Sequence, residues 1–330
     1  TVSRHIASAM TSYRLVVDKS TVPVQTGEWV YKTIQSNRRR NVDFDVASNP
    51  EFLREGAAVQ DFLRPDRVVI GVESKRAEKI LTELYKPLQA PILVTDIKSA
   101  ELIKHSCNSF LAAKISFINM ISRICEAVGA DVYKVAEGMG FDARIGRSFL
   151  SPGIGWGGSC FPKDLSAFIR IAEKHGVDAA LLRSVVEINE TQKRAFVEKI
   201  HKNLWNLKGK TIGVLGLSFK PGTDDMRSAP SIDIINALLA EGVHVRAYDP
   251  EAIPVARRIF KGVTFMKSAY EAAKEADALL VLTEWPEFLE LDSKGLLEPS
   301  RQSLELATSK GNATYVPVLI TLNEEFCRFL

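Results

Sequence analysis

Gly157-Gly158-Ser159-Cys160-Phe161-Pro162-Lys163-Asp164 holds the most reactive group of the chain. A cysteine that follows two glycines can be approached closely by a substrate. The thiolate is the nucleophile, and a nearby cation such as Lys163 favours it. The plainer reading is a small thiol packed in a tight turn. A second group is Glu101, Lys104 and Asn108, whose spacings of three and four put them on one helix face. A lysine and an asparagine there can stabilise an oxyanion or relay a proton. The plainer reading is a solvated polar stripe. A third group is Asn49-Pro50-Glu51-Phe52-Leu53-Arg54-Glu55-Gly56, which follows a strand. Carboxylates at the carboxyl edge of a parallel sheet face its ligand crevice. Glu51 and Glu55 could serve there as a base and as an anchor for cofactor or water, or simply begin a helix. A fourth group is Gly213-x-x-Gly216-x-x-Phe219-Lys220 with Arg227. It has the look of a phosphate-holding turn with two cations for a pyrophosphate. Its spacing is not the dinucleotide fingerprint G-x-G-x-x-G, and no N-terminal strand carries that fingerprint.

These groups need elements to hold them. Strands are predicted at 12–17, 42–48, 68–72 and 91–95, with a helix over 74–85 that sets Ile80, Leu81 and Leu84 on one side. The run Val68–Val72 has the character of a buried parallel strand. Strands alternating with helices predict a parallel sheet. From Asp96 to about Val128 apolar residues recur at helical period with no proline. Such a helix is ~45 Å long, apolar on more than one side, and suited to bridging domains or meeting a partner subunit. Residues 149–164 are expected to form a glycine-rich loop. Helical signals resume at 165–175 and 179–204. A second α/β unit opens with a strand at 210–216, then a helix over 231–241 and strands at 243–248 and 279–283. Residues 300–314 are polar and weakly periodic.

Composition narrows the classes. The chain has 330 residues, 46% hydrophobic and 25% charged, which excludes disorder, collagen and a coiled-coil rod and suggests two domains. A formal charge of +3 does not indicate nucleic acid. The run Arg38-Arg39-Arg40 is expected to be a solvated loop. Cysteines at 107, 125, 160 and 327 form neither a disulfide framework nor a metal-binding spacing. A reducing, cytoplasmic setting fits them. No apolar run is long enough for a membrane span. The first residues do not form a signal peptide, and the chain does not begin with Met. A trimmed or partial chain is therefore expected.

The four groups, in this order, resemble the nucleotide-sugar dehydrogenases, the UDP-glucose/GDP-mannose dehydrogenase family. The resemblance runs from about Ser20 to Leu296 and rests on Ser20-Thr21-Val22-Pro23-Val24, Asn49–Gly56, Glu101–Asn119, Phe149–Asp164 and Phe219–Pro230. The wording Lys104-x-x-x-Asn108-x-Phe110-Leu111-Ala112 favours the branch acting on UDP-glucose. The GDP-mannose branch is the nearest alternative, because it shares Phe52–Gly56.

The resemblance implies a fold of two Rossmann-like parallel-sheet domains joined by a long central helix, the first truncated at its N-terminus. The expected division is 1–95, a remnant of the NAD-binding domain; 96–207, a central helical and dimerisation region with the cysteine loop; and 208–330, a UDP-sugar-binding domain with an atypical tail. It implies an NAD-dependent four-electron oxidation of UDP-glucose to UDP-glucuronate through a cysteine thiohemiacetal and thioester. Cys160 would be the nucleophile, with Lys104, Asn108, Asp164 and Glu51 as further catalytic groups. Thr21, Glu55, Lys163 and Arg227 would touch NAD. Phe52, Leu53, Arg54, Lys104, Asn108, Phe149, Leu150, Ser151, Pro152, Gly153, Gly157 and Lys220 would bind the UDP-sugar. Arg144 would reach the substrate of a second subunit in a homodimer built on the long helix. No metal is implied. A chain lacking the glycine strand implies a first sheet that is exposed and weakly stable. Two other readings are an inactive relative that binds UDP-sugar and dimerises, and an unrelated aldehyde-oxidising thiol enzyme, against which the Lys220/Arg227 unit and the long helix argue. The family's closing Asp-Gly-Arg-Asn segment does not follow Thr283-Glu284-Trp285.

Overall fold

The computed structural model describes residues 1–39, 41–291 and 319–321. Arg40, Cys327 and the weakly periodic stretch 300–314 lie outside the described residues. The chain forms two compact units: Thr1–Phe110 with Lys163–Ala179, and Leu111–Pro162 with Ala180–Leu330.

The first unit runs α1 (Val2–Ala9), β1 (Arg14–Asp18), α2 (Thr26–Asn37), β2 (Phe44–Ser48), α3 (Ala58–Leu63), β3 (Val68–Val72), α4 (Lys75–Tyr85) and β4 (Ile92–Thr95) into the helix α5 (Ile97–Val128). Its sheet has the order β1-β2-β3-β4. Every residue of β3 is buried, as its apolar run demands. One face packs Ile34, Phe44, Val46 and Ile97 with Ala7 and Met10. The other packs Ala47, Val68, Ile70 and Val72 against Ala77 and Leu81 of α4. The Ser74 hydroxyl caps α4 by accepting from the Ala77 N–H at 3.1 Å.

Two expectations need correction here. The sheet is not wholly parallel: β1/β2 and β3/β4 are parallel, but β3 runs antiparallel to β2. A parallel return needs a crossover helix packed on the sheet. Between β2 and β3 lies only the six-residue α3, which buries no residue. Within α4, Ile80 and Leu84 are exposed, and the buried pair is Ala77 and Leu81 at a spacing of four.

Helix α5 has 32 residues, about 48 Å at 1.5 Å per residue. The chain continues through α6 (Val132–Gly140), α7 (Phe161–Lys174) and α8 (Ala180–Asn203). The glycine-rich loop is shorter than expected, because α7 begins at Phe161. Pro162 then sits in the first turn, where its missing N–H is no loss, and Lys163 and Asp164 are helical.

The second sheet follows: β5 (Thr211–Leu215), α9 (Pro230–Ala240), β6 (His244–Tyr248), α10 (Ile253–Ile259), β7 (Val263–Phe265), α11 (Ala269–Ala273), β8 (Ala278–Val281), α12 (Pro286–Leu289) and β9 (Leu319–Thr321). The order is β7-β6-β5-β8-β9, parallel except for β9, which runs antiparallel to β8. One face packs Ile212, Val214, Val245 and Leu280 with Ile234 and Leu238 of α9 and Phe196 and Ile200 of α8. The other packs Leu215, Leu279 and Val281 with Ala272, Trp285 and Phe288. The molecule is an α/β protein with Rossmann-like sheets and a long central helix.

Candidate active site

In the first unit, the face of α5 expected as a polar stripe is buried rather than solvated. Lys104 is 4% exposed, Asn108 7%, Glu101 2% and His105 1%. Buried polar groups persist only with partners, and these have them. The Lys104 ammonium lies 3.5 Å from Glu51 Oε1 and 5.2 Å from the centre of the Phe52 ring. The same ring carries the Arg67 guanidinium at 3.7 Å. Glu51 is fixed in turn, for its Oε2 accepts from the Leu53 N–H at 2.7 Å. The loop after β2 thus places carboxylate, aromatic ring and cation together.

One turn along α5, Asn108 Nδ2 donates to Asp164 Oδ2 at 2.6 Å. Asp164 is 1% exposed, and its Oδ1 lies 3.3 Å from Lys163 Nζ. A charge-assisted hydrogen bond in a buried setting contributes about 1.5–3 kcal/mol, enough to hold the amide in one orientation. Asp164 is the fourth residue of α7, and Cys160 directly precedes that helix. Cys160 is exposed, with the Ser159 hydroxyl 3.6 Å from its sulfur.

Glu101 and His105 do a different task, which spacing alone did not reveal. The Glu101 carboxylate accepts from the Gln25 and Gly27 N–H groups, each at 2.7 Å, and so caps α2. Burial pushes its pKa above the ordinary value, and the two N–H donors pull the other way. The His105 ring sits 2.8 Å from the Val22 carbonyl through Nε2 and stacks on Phe168. These two residues pin the segment carrying Thr21, which is half-buried. Glu55 is half-buried beyond β2.

In the second unit the glycine loop is held at both ends of its bends. Gly153 N–H donates to Asn119 Oδ1 at 2.8 Å, and Gln192 Nε2 donates to the Gly153 carbonyl at 2.8 Å. Asn189 accepts from the Trp156 N–H at 2.7 Å and donates to its carbonyl at 3.1 Å. Leu150 is core, packed with Ile118 and Ala136; Pro152 is buried, whereas Phe149 and Ser151 are exposed. Gly157 is required by packing: a Cβ there would stand 2.3 Å from the Ser228 carbonyl oxygen. Its neighbour Gly158 donates to the Arg227 carbonyl at 2.8 Å. The loop is therefore bonded to the segment that carries Arg227 and, seven residues earlier, Lys220. Asn119, Asn189 and Gln192 were not singled out from sequence. Their signal was weak: polar residues at positions where α5 and α8 turn inward.

Three arginines expected to bind ligand are turned to neighbouring carboxylates. Arg54 forks onto Asp61 at 3.0 and 2.7 Å, and Arg144 onto Asp142. Arg227 forks onto Asp225 at 2.9 and 2.8 Å. Lys220 is half-buried beside the Phe219 ring. Among the described residues no group of His, Cys, Asp and Glu could hold a metal ion, and no helix is long and apolar enough to cross a membrane.

The chain combines two Rossmann-like sheets, a long helix with a buried lysine and asparagine, and a cysteine in a glycine loop. Three family models match in succession: the UDP-glucose/GDP-mannose dehydrogenase NAD binding domain over residues 1–89, the central domain over 98–191 and the UDP binding domain over 213–305. The chain belongs to the UDP-glucose/GDP-mannose dehydrogenase family. It is 50% identical over 291 residues to the UDP-glucose 6-dehydrogenase TuaD of Bacillus subtilis, covering 88% of this chain and 63% of that protein. It is 48% identical over 296 residues to the UDP-glucose 6-dehydrogenase of Rhizobium meliloti, covering 88% and 68%. A solved UDP-glucose dehydrogenase from Pyrobaculum islandicum superposes with a TM-score of 0.85 at 42% identity, covering 88% of this chain and 67% of that one. The chain spans about two thirds of the length of these relatives. The NAD binding domain is detected over 1–89, and both faces of the first sheet carry packed apolar clusters.

Proposed function

We propose that this chain carries out, or forms most of a protein that carries out, the NAD-dependent oxidation of UDP-glucose to UDP-glucuronate. The observation that supports it most is the buried pair of contacts on α5, Lys104 with Glu51 and Asn108 with Asp164. A cation, an amide donor and two carboxylates set in low dielectric suit a reaction that moves protons and develops oxyanions.

When bound, NAD supplies the acceptor for hydride. Thr21 and Glu55 follow β1 and β2 in the chain and offer a hydroxyl and a carboxylate, groups that can bond ribose hydroxyls. Lys163 and Arg227 add positive charge for its phosphates. In our reading the C6 alcohol of the sugar loses a hydride and a proton, giving an aldehyde. The Cys160 thiolate adds to that aldehyde carbon. Lys104 and Asn108 stabilise the alkoxide that forms on the sugar oxygen. Loss of a second hydride gives a thioester. Asp164 and Glu51 orient and deprotonate the water that cleaves it, releasing the carboxylate and the thiol. The sum is one alcohol, one water and two NAD giving one carboxylate, two NADH and three protons. Cys160 lies at the start of α7, whose N-terminal amides favour negative charge.

We assign UDP-sugar binding to Phe52, Leu53 and Arg54, the loop 149–153, Gly157 and Lys220. The division into an NAD part (1–95), a central part (96–207) and a UDP-sugar part (208–330) belongs to the same reading. So does a homodimer through α5, in which Arg144 serves the partner's site. Phe110, Phe117 and Ile124 recur every seven residues along α5 and are 68%, 43% and 50% exposed, an apolar stripe that suits a second copy. The free thiols at 107, 125 and 160 suit a cytoplasmic setting.

Calorimetry with UDP-glucose and with NAD, paired with an NADH assay, tests the proposal. Binding of both with NADH formation supports it. UDP-sugar binding without turnover would support the alternative, a UDP-sugar-binding relative that dimerises.

A further inference from the structure

The turn after β5 was singled out from sequence as a phosphate holder, yet its backbone donors are already spoken for. The Gly216 N–H donates to the Tyr248 carbonyl at 2.9 Å, and the Phe219 N–H to the Asp225 carbonyl at 3.1 Å. Between them the Leu217 and Ser218 N–H groups donate to Asp249 Oδ2 at 2.7 and 3.2 Å. In a glycine-rich dinucleotide turn such amides point at the pyrophosphate. Here a carboxylate of the protein sits among them.

Asp249 is 1% exposed and stands at the end of β6. Besides the two turn amides, Oδ2 accepts from Trp285 Nε1 at 3.1 Å, while Oδ1 accepts from the Glu251 and Ala252 N–H groups at 2.9 and 2.7 Å. In a dinucleotide fold the acid at the end of the second strand reads the ribose hydroxyls; both oxygens of this one are committed internally. The platform it ties down is continuous. The Thr283 hydroxyl donates to the Ser218 carbonyl at 2.6 Å, and the Ser218 hydroxyl donates to the Lys220 carbonyl at 2.9 Å. Gly216, at φ +88°, is forced by closeness to Thr283: a Cβ would lie 2.5 Å from the Thr283 Cβ.

We propose that Asp249 occupies, from inside the protein, the place a phosphate takes at a glycine-rich turn, and so acts as the positioning residue for the segment carrying Lys220. The diphosphate of the ligand of this unit is then held by side chains, not by the turn's amides. This rests on the UDP-sugar reading given above and deepens it.

The test is UDP binding by calorimetry, with UDP as the probe, followed by steady-state kinetics on the full chain. Wild type that does not bind UDP would sink the UDP-sugar reading itself. Given wild-type binding, Asp249→Asn, which sets an NH2 group against the turn amides or those of Glu251 and Ala252, is expected to weaken UDP about tenfold. Its KM for UDP-glucose rises while KM for NAD and kcat at saturation stay put, a split that a general loss of structure would not give. If Asp249→Asn does not fold, Trp285→Phe decides, since it removes one donor and is expected to weaken UDP about threefold. A folded Asp249→Asn, or failing that a Trp285→Phe, that binds UDP as wild type does overturns the inference.

Discussion

The buried face of α5 and the exposed arginine forks handle charge in opposite ways. Lys104, Asn108 and Asp164 are nearly sealed from water, and each is held by a partner brought from far along the chain. Arg54, Arg144 and Arg227 lie at the surface, each paired with a carboxylate at most seven residues away. A buried charge must be paired to exist there, so its position is set by the fold. An exposed fork is worth little to stability and can trade its partner for a ligand phosphate at small cost. On the proposed reading, chemistry belongs to the first set and ligand capture to the second.

The largest break in that contrast should come at Lys104. Lys104→Met is expected to lower turnover by about 10²–10³-fold, while thermal melting stays near wild type, because Glu51 keeps partial contact with water. A melt that collapses together with activity would make Lys104 a structural residue. Next comes Asp164→Ala, which leaves the Asn108 amide buried without its acceptor. A loss of about 1–3 kcal/mol is expected in denaturant unfolding; an unchanged midpoint would show that the 2.6 Å contact carries nothing. At the surface, Arg54→Ala should leave the melting curve in place and raise KM for the sugar nucleotide. A shifted melt with unchanged KM would reverse its assignment.

The smallest effect concerns pH. Burial raises the Glu101 pKa from 4.5, so the folded state holds this proton more tightly than the unfolded chain. Its contribution to stability is greatest below 4.5 and is lost as pH rises through the folded value. Asp142, beside Arg144, is shifted down from 3.8 instead, so its contribution is lost as pH falls through the lowered value. Denaturant midpoints measured from pH 4.5 upward should decline in wild type and flatten in Glu101→Gln. Equal slopes in the two proteins would contradict the assignment.

Much of this arrangement was legible because it follows from spacing. Lys104 and Asn108 share a face by helical period, and the glycines at 153–158 announced a loop. The strands at 68–72 and 211–215 showed as apolar runs. What spacing cannot show is a partner distant in sequence. Glu101 looked like part of a polar stripe because Gln25 and Gly27 stand over seventy residues away. Asp249 follows the strand expected at 243–248 and carries no signal of its own, because donors to it come from Leu217, Ser218 and Trp285. The direction of β3 was hidden for another reason: a buried antiparallel strand and a buried parallel one present the same apolar run. Helix α2 went unnoticed because its exposed face carries Trp29 and Tyr31, which blur the polar side.

Sulfur chemistry at position 160 is tested most directly by steady-state NADH production in Cys160→Ser. The expected result is a loss of about 10³-fold or more with UDP binding unchanged. NADH production at the wild-type rate would contradict it.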